Sequence, residues 1–232
     1  MKYAKTITNH GYVLNTRPYE LNILGIRNQN TVPNRFDDTI AVFYKDDSGK
    51  WVVHEYSATT DPSTYWLLNP SKVEGTALLM KGQYRYRLGT HKGQYPALNP
   101  AGAVRLLRQY QREAYLDFWN GNEEVCQNGC GINIHRANAS GTTENVDLYS
   151  AGCQVFANAS DFKEFIAMCQ KHAQLYGNAF LYTLIDERAL ARRNRRWLLY
   201  VLVAICLLTA LYAIHYFGYY RFRFLEKKQV KY

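Results

Sequence analysis

Two side chains have the types and the spacing of a pair that does covalent chemistry. His135 lies in Gly131-Ile132-Asn133-Ile134-His135-Arg136, and Cys153 follows 18 positions later in Ser150-Ala151-Gly152-Cys153-Gln154. A thiol with its ordinary pKa of about 8.5 is a weak nucleophile at neutral pH, and an imidazole that takes its proton makes it a strong one. Gly152 allows a tight turn ahead of the cysteine. That turn is expected to expose the thiol and to leave the Gly152 and Cys153 N–H groups free for an oxyanion. The predicted cycle is attack by Cys153 on a peptide carbonyl, protonation of the leaving amine by His135, and transfer of the acyl group to an amine or to water. Chain order narrows the class: papain-like peptidases place the cysteine first, and caspase-like ones separate histidine from cysteine by about 50 residues.

Other candidates surround this pair. Asn133 and Arg136 flank His135 and either orient it or contact substrate. Ser150 opens the cysteine turn and counts among the candidate substrate contacts. His91, in Gly89-Thr90-His91-Lys92-Gly93, lines the same cleft or is plain surface. Tyr84, beside Arg85 and Arg87, binds a substrate carboxylate or is an ordinary strand residue. Taken alone, Cys153 reads as a buried structural cysteine; together with Gly152, Ser150 and a strand histidine it reads as a nucleophile. Cys126 and Cys130 are spaced for a small disulfide loop or for two metal ligands. A zinc site needs about four ligands and no second Cys or His pair follows, so no metal and no cofactor is assigned. Cys169 falls on a helical apolar stripe, as a core residue would.

These residues need strands to hold them. The alternation from Gly131 to Arg136 turns Ile132 and Ile134 to one face and Asn133 and His135 to the other. After Ser150–Phe156, Ser160 is the predicted N-cap of a helix with Phe162, Phe165, Ile166, Cys169 and Ala173 on one face. That helix ends near Gly177, and Phe180 to Ile185 reads as a closing strand. Thr39–Tyr44 and Lys50–His54 flank Asp-Asp-Ser-Gly as a hairpin, and a second pair is expected around Lys81-Gly82-Gln83. Residues 101–117 carry a helical pattern. The expectation is an α+β, β-rich domain with few helices over residues 1–185.

The chain has 232 residues, 47% hydrophobic and 20% charged, which excludes disordered, collagen-like and disulfide-scaffold classes. Of the net charge of +9, +7 lies in residues 186–232, which hold 10 basic and 3 acidic side chains. The body is nearly neutral, so no nucleic-acid partner is expected. Trp197–Tyr220 holds 24 residues without Asp, Glu, Lys or Arg, more than the roughly 20 that cross a bilayer, with aromatics crowding both ends. It is predicted as a single transmembrane helix contacting membrane lipid, between a basic collar at 186–196 and a basic tail at 221–232. Five basic residues on each side leave its orientation open. No signal-type apolar run follows Lys2 and Lys5, so a body held by a C-terminal anchor is expected. Oligomeric state is not encoded in any visible pattern.

His135 and the Ser-Ala-Gly-Cys run at a spacing of 18 resemble the catalytic pair of the L,D-transpeptidase (YkuD-like) family, which has a strand histidine followed by Ser-x-Gly-Cys. The resemblance covers chiefly residues 131–156, with Gly75–Leu98 similar to the family's earlier hairpin region. It is also similar to a phage-encoded branch with His-Arg and Ser-Ala-Gly-Cys-Gln. Arg136, Ala151 and Val155 stand where the family usually has Gly, His and Arg. The resemblance implies a β-rich catalytic domain and a cysteine acyltransferase or hydrolase acting on peptidoglycan stem peptides, in a bacterial or phage-infected cell envelope. The other reading is a noncatalytic membrane-tethered module of the same fold that binds cell wall or a protein.

Overall fold

The Asp46–Gly49 turn sets the register of the first hairpin: the Asp46 carboxylate accepts from the Ser48 and Lys50 N–H groups, and Gly49 takes a φ of +79°. It joins β2 (Asp38–Lys45) to β3 (Trp51–Thr59), as the sequence predicts. The computed structural model describes residues 1–110, 113–190, 200–209, 211–213 and 215–216. Met1–Glu187 forms one unit and Arg188–Tyr232 another.

In the first unit, α1 (Lys2–Asn9) leads into β1 (Asn22–Arg27), which pairs with β2. A short α2 (Thr64–Leu68) follows β3, and then come β4 (Thr76–Leu79), β5 (Gly82–His91), β6 (Tyr95–Pro100), β7 (Val104–Gln109) and β8 (Asn122–Cys126). The chain ends this unit with β9 (Ile134–Arg136), β10 (Gln154–Phe156), α3 (Ala159–Tyr176) and β11 (Phe180–Asp186). Eight strands close into a barrel in the order β1-β11-β5-β6-β9-β10-β3-β2, and β4-β7-β8 form a separate sheet. Closure leaves no unpaired edge in the barrel. Ile23, Val42, Tyr86, Leu98, Ile134, Phe156 and Tyr182 fill the core, and α3 adds Phe162, Phe165 and Cys169 to it. The predicted helix face is thus the buried one, and Gly177 caps its C-terminus. The N-cap is Asn158, whose side chain accepts from Ser160 N and Asp161 N, two residues before the expected Ser160.

Three expectations are corrected. The stretch 101–117 contains β7 where a helix is predicted: Val104, Leu106 and Leu107 satisfy either pattern, and pairing to β4 and β8 decides for the strand. The expected pairing around Lys81-Gly82-Gln83 is absent, because β4 pairs with β7 while β5 pairs with β6 and β11; the chain changes sheets there. Finally, the single transmembrane helix expected over 197–220 is not seen. Among the described residues no helix is long and apolar enough to cross a membrane. The unbroken helical run 200–209 spans about 15 Å at 1.5 Å per residue, half of a bilayer's apolar core. Residues 197–199, 210, 214 and 217–220 of that segment lie outside the described residues, as do 191–196 of the collar and the tail 221–232.

Candidate functional site

The strand that carries His135 and the strand into which the Cys153 turn leads are parallel neighbours in the barrel. Val155 lies opposite His135, Gln154 lies opposite Ile134, and Gln154 N–H donates to Asn133 O. Side chains alternate along both strands, so Cys153, Val155, His135 and Ala137 share a face. Cys153, Val155 and Ala137 pack together there. Ile132 and Ile134 enter the core on the other face, as their alternation predicts.

His135 is 1% exposed. Its Nδ1 lies 2.8 Å from Arg136 O, a carbonyl that can only accept, so Nδ1 carries the proton and Nε2 holds the lone pair. Nε2 is buried and has no hydrogen-bond partner among the described residues. The Tyr95 hydroxyl lies 3.2 Å from His135 Nδ1 and 3.3 Å from Arg136 O. Burial, aided by His91 nearby, pushes the imidazole down to about 3 and keeps it neutral at pH 7.

His91 does line this site. Its ring stacks on that of His135 with centroids 3.9 Å apart and planes at 24°. It arrives there on the turn between β5 and β6, where Lys92 and Gly93 take positive φ and His91 pairs with Tyr95. Asn133 Nδ2 donates to His91 Nδ1, while its Oδ1 accepts from Asn99 Nδ2 at 2.8 Å. Asn133 therefore fixes His91, and through the stack it fixes the exposed-side wall of His135. Burial and Lys92 lower the His91 pKa.

The cysteine turn differs from expectation in one respect. Gly152 takes a φ of +114° and a Cβ there would lie 2.3 Å from Ala77 O, so only glycine fits. The thiol, however, is enclosed: Cys153 is 9% exposed, Sγ–H donates to Gly131 O at 3.1 Å, and burial pushes the thiol up to about 11. The Gly152 N–H is not free either, since it donates to Ser150 Oγ at 3.2 Å. The Cys153 N–H has no hydrogen-bond partner among the described residues and is the better oxyanion donor.

Ser150 is fully buried, and its hydroxyl bridges Asp61 O and Cys153 O, each at 2.8 Å. It braces the turn and presents nothing to a substrate. The brace continues into the barrel, where Asp61 faces Arg27 at 2.7 Å and Arg27 also holds Thr60 and Leu79 carbonyls. Tyr84 is not brought to the site; its hydroxyl donates to Met80 O and its ring belongs to the barrel core.

Cys126 and Cys130 form a disulfide just before Gly131, which decides between the two readings of that spacing. Among the described residues no cluster of metal-ligating side chains occurs. Tyr95 and Gly131 were not singled out by the sequence. Tyr95 was legible in principle, because Lys92-Gly93 between Thr90-His91 and Tyr95 marks a hairpin turn that puts His91 and Tyr95 side by side. The Gly131 carbonyl leaves no sequence signal.

Compared with protein-family models, with curated proteins and with solved structures, the chain finds no match in any of the three.

Proposed function

We propose that this chain is a cysteine acyl-transfer enzyme acting on peptidoglycan stem peptides. The observation that supports it is the buried imidazole of His135, whose proton is held on Nδ1 and whose Nε2 lone pair is unpartnered, on the strand beside the one into which Cys153 leads. His54 Nε2 is also buried without a partner among the described residues, so it is an orphaned nitrogen together with a cysteine at the start of the neighbouring strand, and not the orphan alone, that singles out His135. The substrate class is taken from the likeness of Ser150–Cys153 and His135 to the L,D-transpeptidase family.

With the thiol raised and the imidazole lowered, the resting pair is neutral. His135 then acts as a general base during attack: the thiol turns away from Gly131 O to reach Nε2, Sγ bonds to the carbonyl carbon and its proton passes to Nε2. Collapse breaks the C–N bond, the same proton goes to the leaving amine, and a thioester on Cys153 remains. An amine or water then attacks the thioester, giving transpeptidation or hydrolysis. The Cys153 N–H supplies the oxyanion contact.

The enclosed thiol favours a second reading, a noncatalytic module of this fold that binds wall peptides. Incubation of the full chain with purified muropeptides, read by intact-protein mass and product chromatography, separates the two. The enzyme reading expects altered muropeptides and a transient acyl mass on Cys153, both lost in Cys153→Ala and reduced about 10³-fold in His135→Gln. Muropeptides that stay unchanged between pH 6 and 9, with no acyl mass, would leave the binding module as the reading.

A further inference from the structure

Beside the histidine site, on the far side of Tyr95, a groove of about 440 Å³ runs between α3 and the paired strands β6 and β9. Tyr95 is a wall common to both: its hydroxyl meets His135 and its ring lines the groove. The helix side is formed by Phe162, Lys163, Ile166 and Gln170, spaced at three and four residues so that they share one face. Arg136 closes the opposite side with its guanidinium 4.2 Å from the Tyr95 ring centroid.

The groove has an apolar floor and two cations, and no carboxylate lines it. Asp161 and Glu164 lie on other faces of α3, where Glu164 holds the Tyr56 hydroxyl at 3.0 Å and His54 at 3.1 Å. Neither Arg136 nor Lys163 has an ion-pair partner among the described residues. Two unneutralised cations facing each other across an apolar groove, Arg136 on one wall and Lys163 on the other, are complementary to a carboxylate joined to an apolar group. The volume is in the range of small-ligand sites.

We infer that this groove binds the carboxylate end of a short peptide or N-acyl amino acid, with the carboxylate between Arg136 and Lys163 and the apolar side chain on Phe162 and Ile166. Gln170 meets the amide, a contact that a plain fatty chain would waste by placing methylenes against a polar group. Binding in the groove does not require the chemistry at Cys153, although Tyr95 and Arg136 border both places.

The test is an NMR titration of the full chain with N-acetyl-L-leucine, alongside N-acetyl-L-leucinamide, which removes only the charge, and octanoate, which removes only the amide. Saturable shifts are expected with N-acetyl-L-leucine at sub-millimolar to millimolar concentration, as befits a ligand of this size. The amide and octanoate should bind at least tenfold more weakly. Arg136→Met and the surface variant Lys163→Met should each weaken binding about five- to tenfold, and Cys153→Ser should leave it unchanged. Equal binding of the amide, tighter binding of octanoate, or indifference to Lys163→Met would each overturn the assignment. Because Cys153→Ser retains the groove, failure here and failure of the acyl-transfer reading are told apart.

Discussion

The barrel holds two buried histidine–cysteine neighbourhoods, and they are built to opposite ends. On α3, His172 sits a turn below Cys169 with both ring nitrogens engaged: Nδ1 accepts from Leu21 N–H and Nε2–H donates to Ala179 O. On β9 and β10, His135 has one nitrogen engaged and the other buried without a partner among the described residues, and a second imidazole stacks on its face. Each unsatisfied buried polar atom costs roughly 1–3 kcal/mol, so a fold keeps one where something else requires it. The His172 region is what a core histidine looks like when it only ties a helix to its neighbours. The difference locates the candidate chemistry more sharply than burial does, because both histidines are buried and burial lowers the pKa of both.

The largest expected effect that tests this comparison is on stability against pH. The folded-state pKa of His135 lies near 3, below its unfolded value of about 6.5, so between these values the unfolded chain binds the extra proton. The contribution of His135 is therefore complete above pH 6.5 and falls by up to about 1.4 kcal/mol for each pH unit below it. His135→Gln cannot be protonated and should remove about one proton's worth of that slope between pH 6.5 and 4.5. At pH 8 it should cost little, since a single hydrogen bond changes. His172→Gln should also flatten the slope, but at pH 8 it should cost about 2–3 kcal/mol, because two buried backbone groups lose their partner. Urea unfolding of the full chain at pH 8 and pH 5 checks both. A cost for His135→Gln equal to that of His172→Gln at pH 8 would mean that the two histidines are the same kind of residue.

Sequence patterns carried much of this contrast, and where they failed the cause was pairing at a distance. Alternation placed Ile132 and Ile134 inward and His135 on the other face, and the helical stripe placed Cys169 in the core. What a linear pattern does not encode is the partner of each strand. Val104–Gln109 satisfied a helical pattern until β4 and β8 paired with it, and Tyr84 read as a substrate contact or an ordinary strand residue until barrel closure buried it. The enclosure of Cys153 has the same origin: Gly131 reaches it from 22 residues away, across a segment that follows a disulfide loop. A glycine before a cysteine signals a turn, but whether the turn faces water is decided by Ala77 and Gly131 elsewhere in the chain.

Of the same order is the effect expected at a pair of glycines, one in each region. Gly152 and Gly177 both take positive φ, +114° and +88°, yet a Cβ at Gly177 meets nothing within 4 Å while one at Gly152 meets the Ala77 carbonyl. Gly177→Ala should cost about 1–2 kcal/mol from backbone strain alone. Gly152→Ala adds a clash with backbone, and should cost about 3 kcal/mol or more while moving Cys153 off Gly131 O. Thermal unfolding gives the two stabilities, and the rate of Cys153 alkylation at pH 8 reports the second change, rising in Gly152→Ala as the thiol loses its enclosure. Equal losses at the two glycines would show that the Ala77 contact yields easily and that the cysteine turn is no tighter than a helix end.

The smallest effect is the most specific. Tyr95 offers its hydroxyl to the same carbonyl that accepts from His135 Nδ1, so two donors share Arg136 O. Tyr95→Phe removes one of them. If the carbonyl alone fixes the proton on Nδ1, the variant keeps that tautomer, loses about 1 kcal/mol of stability, and slows muropeptide turnover by less than about tenfold. Nitrogen-15 NMR of the imidazoles reads the tautomer directly, with His172 as the internal reference whose two hydrogen bonds hold its proton on Nε2. A His135 proton that moves to Nε2 in Tyr95→Phe would make the hydroxyl, not the carbonyl, the group that keeps the lone pair facing the reaction. The base would then depend on a side chain that is also the wall of the neighbouring groove, and occupancy of that groove would become a means of changing the state of His135.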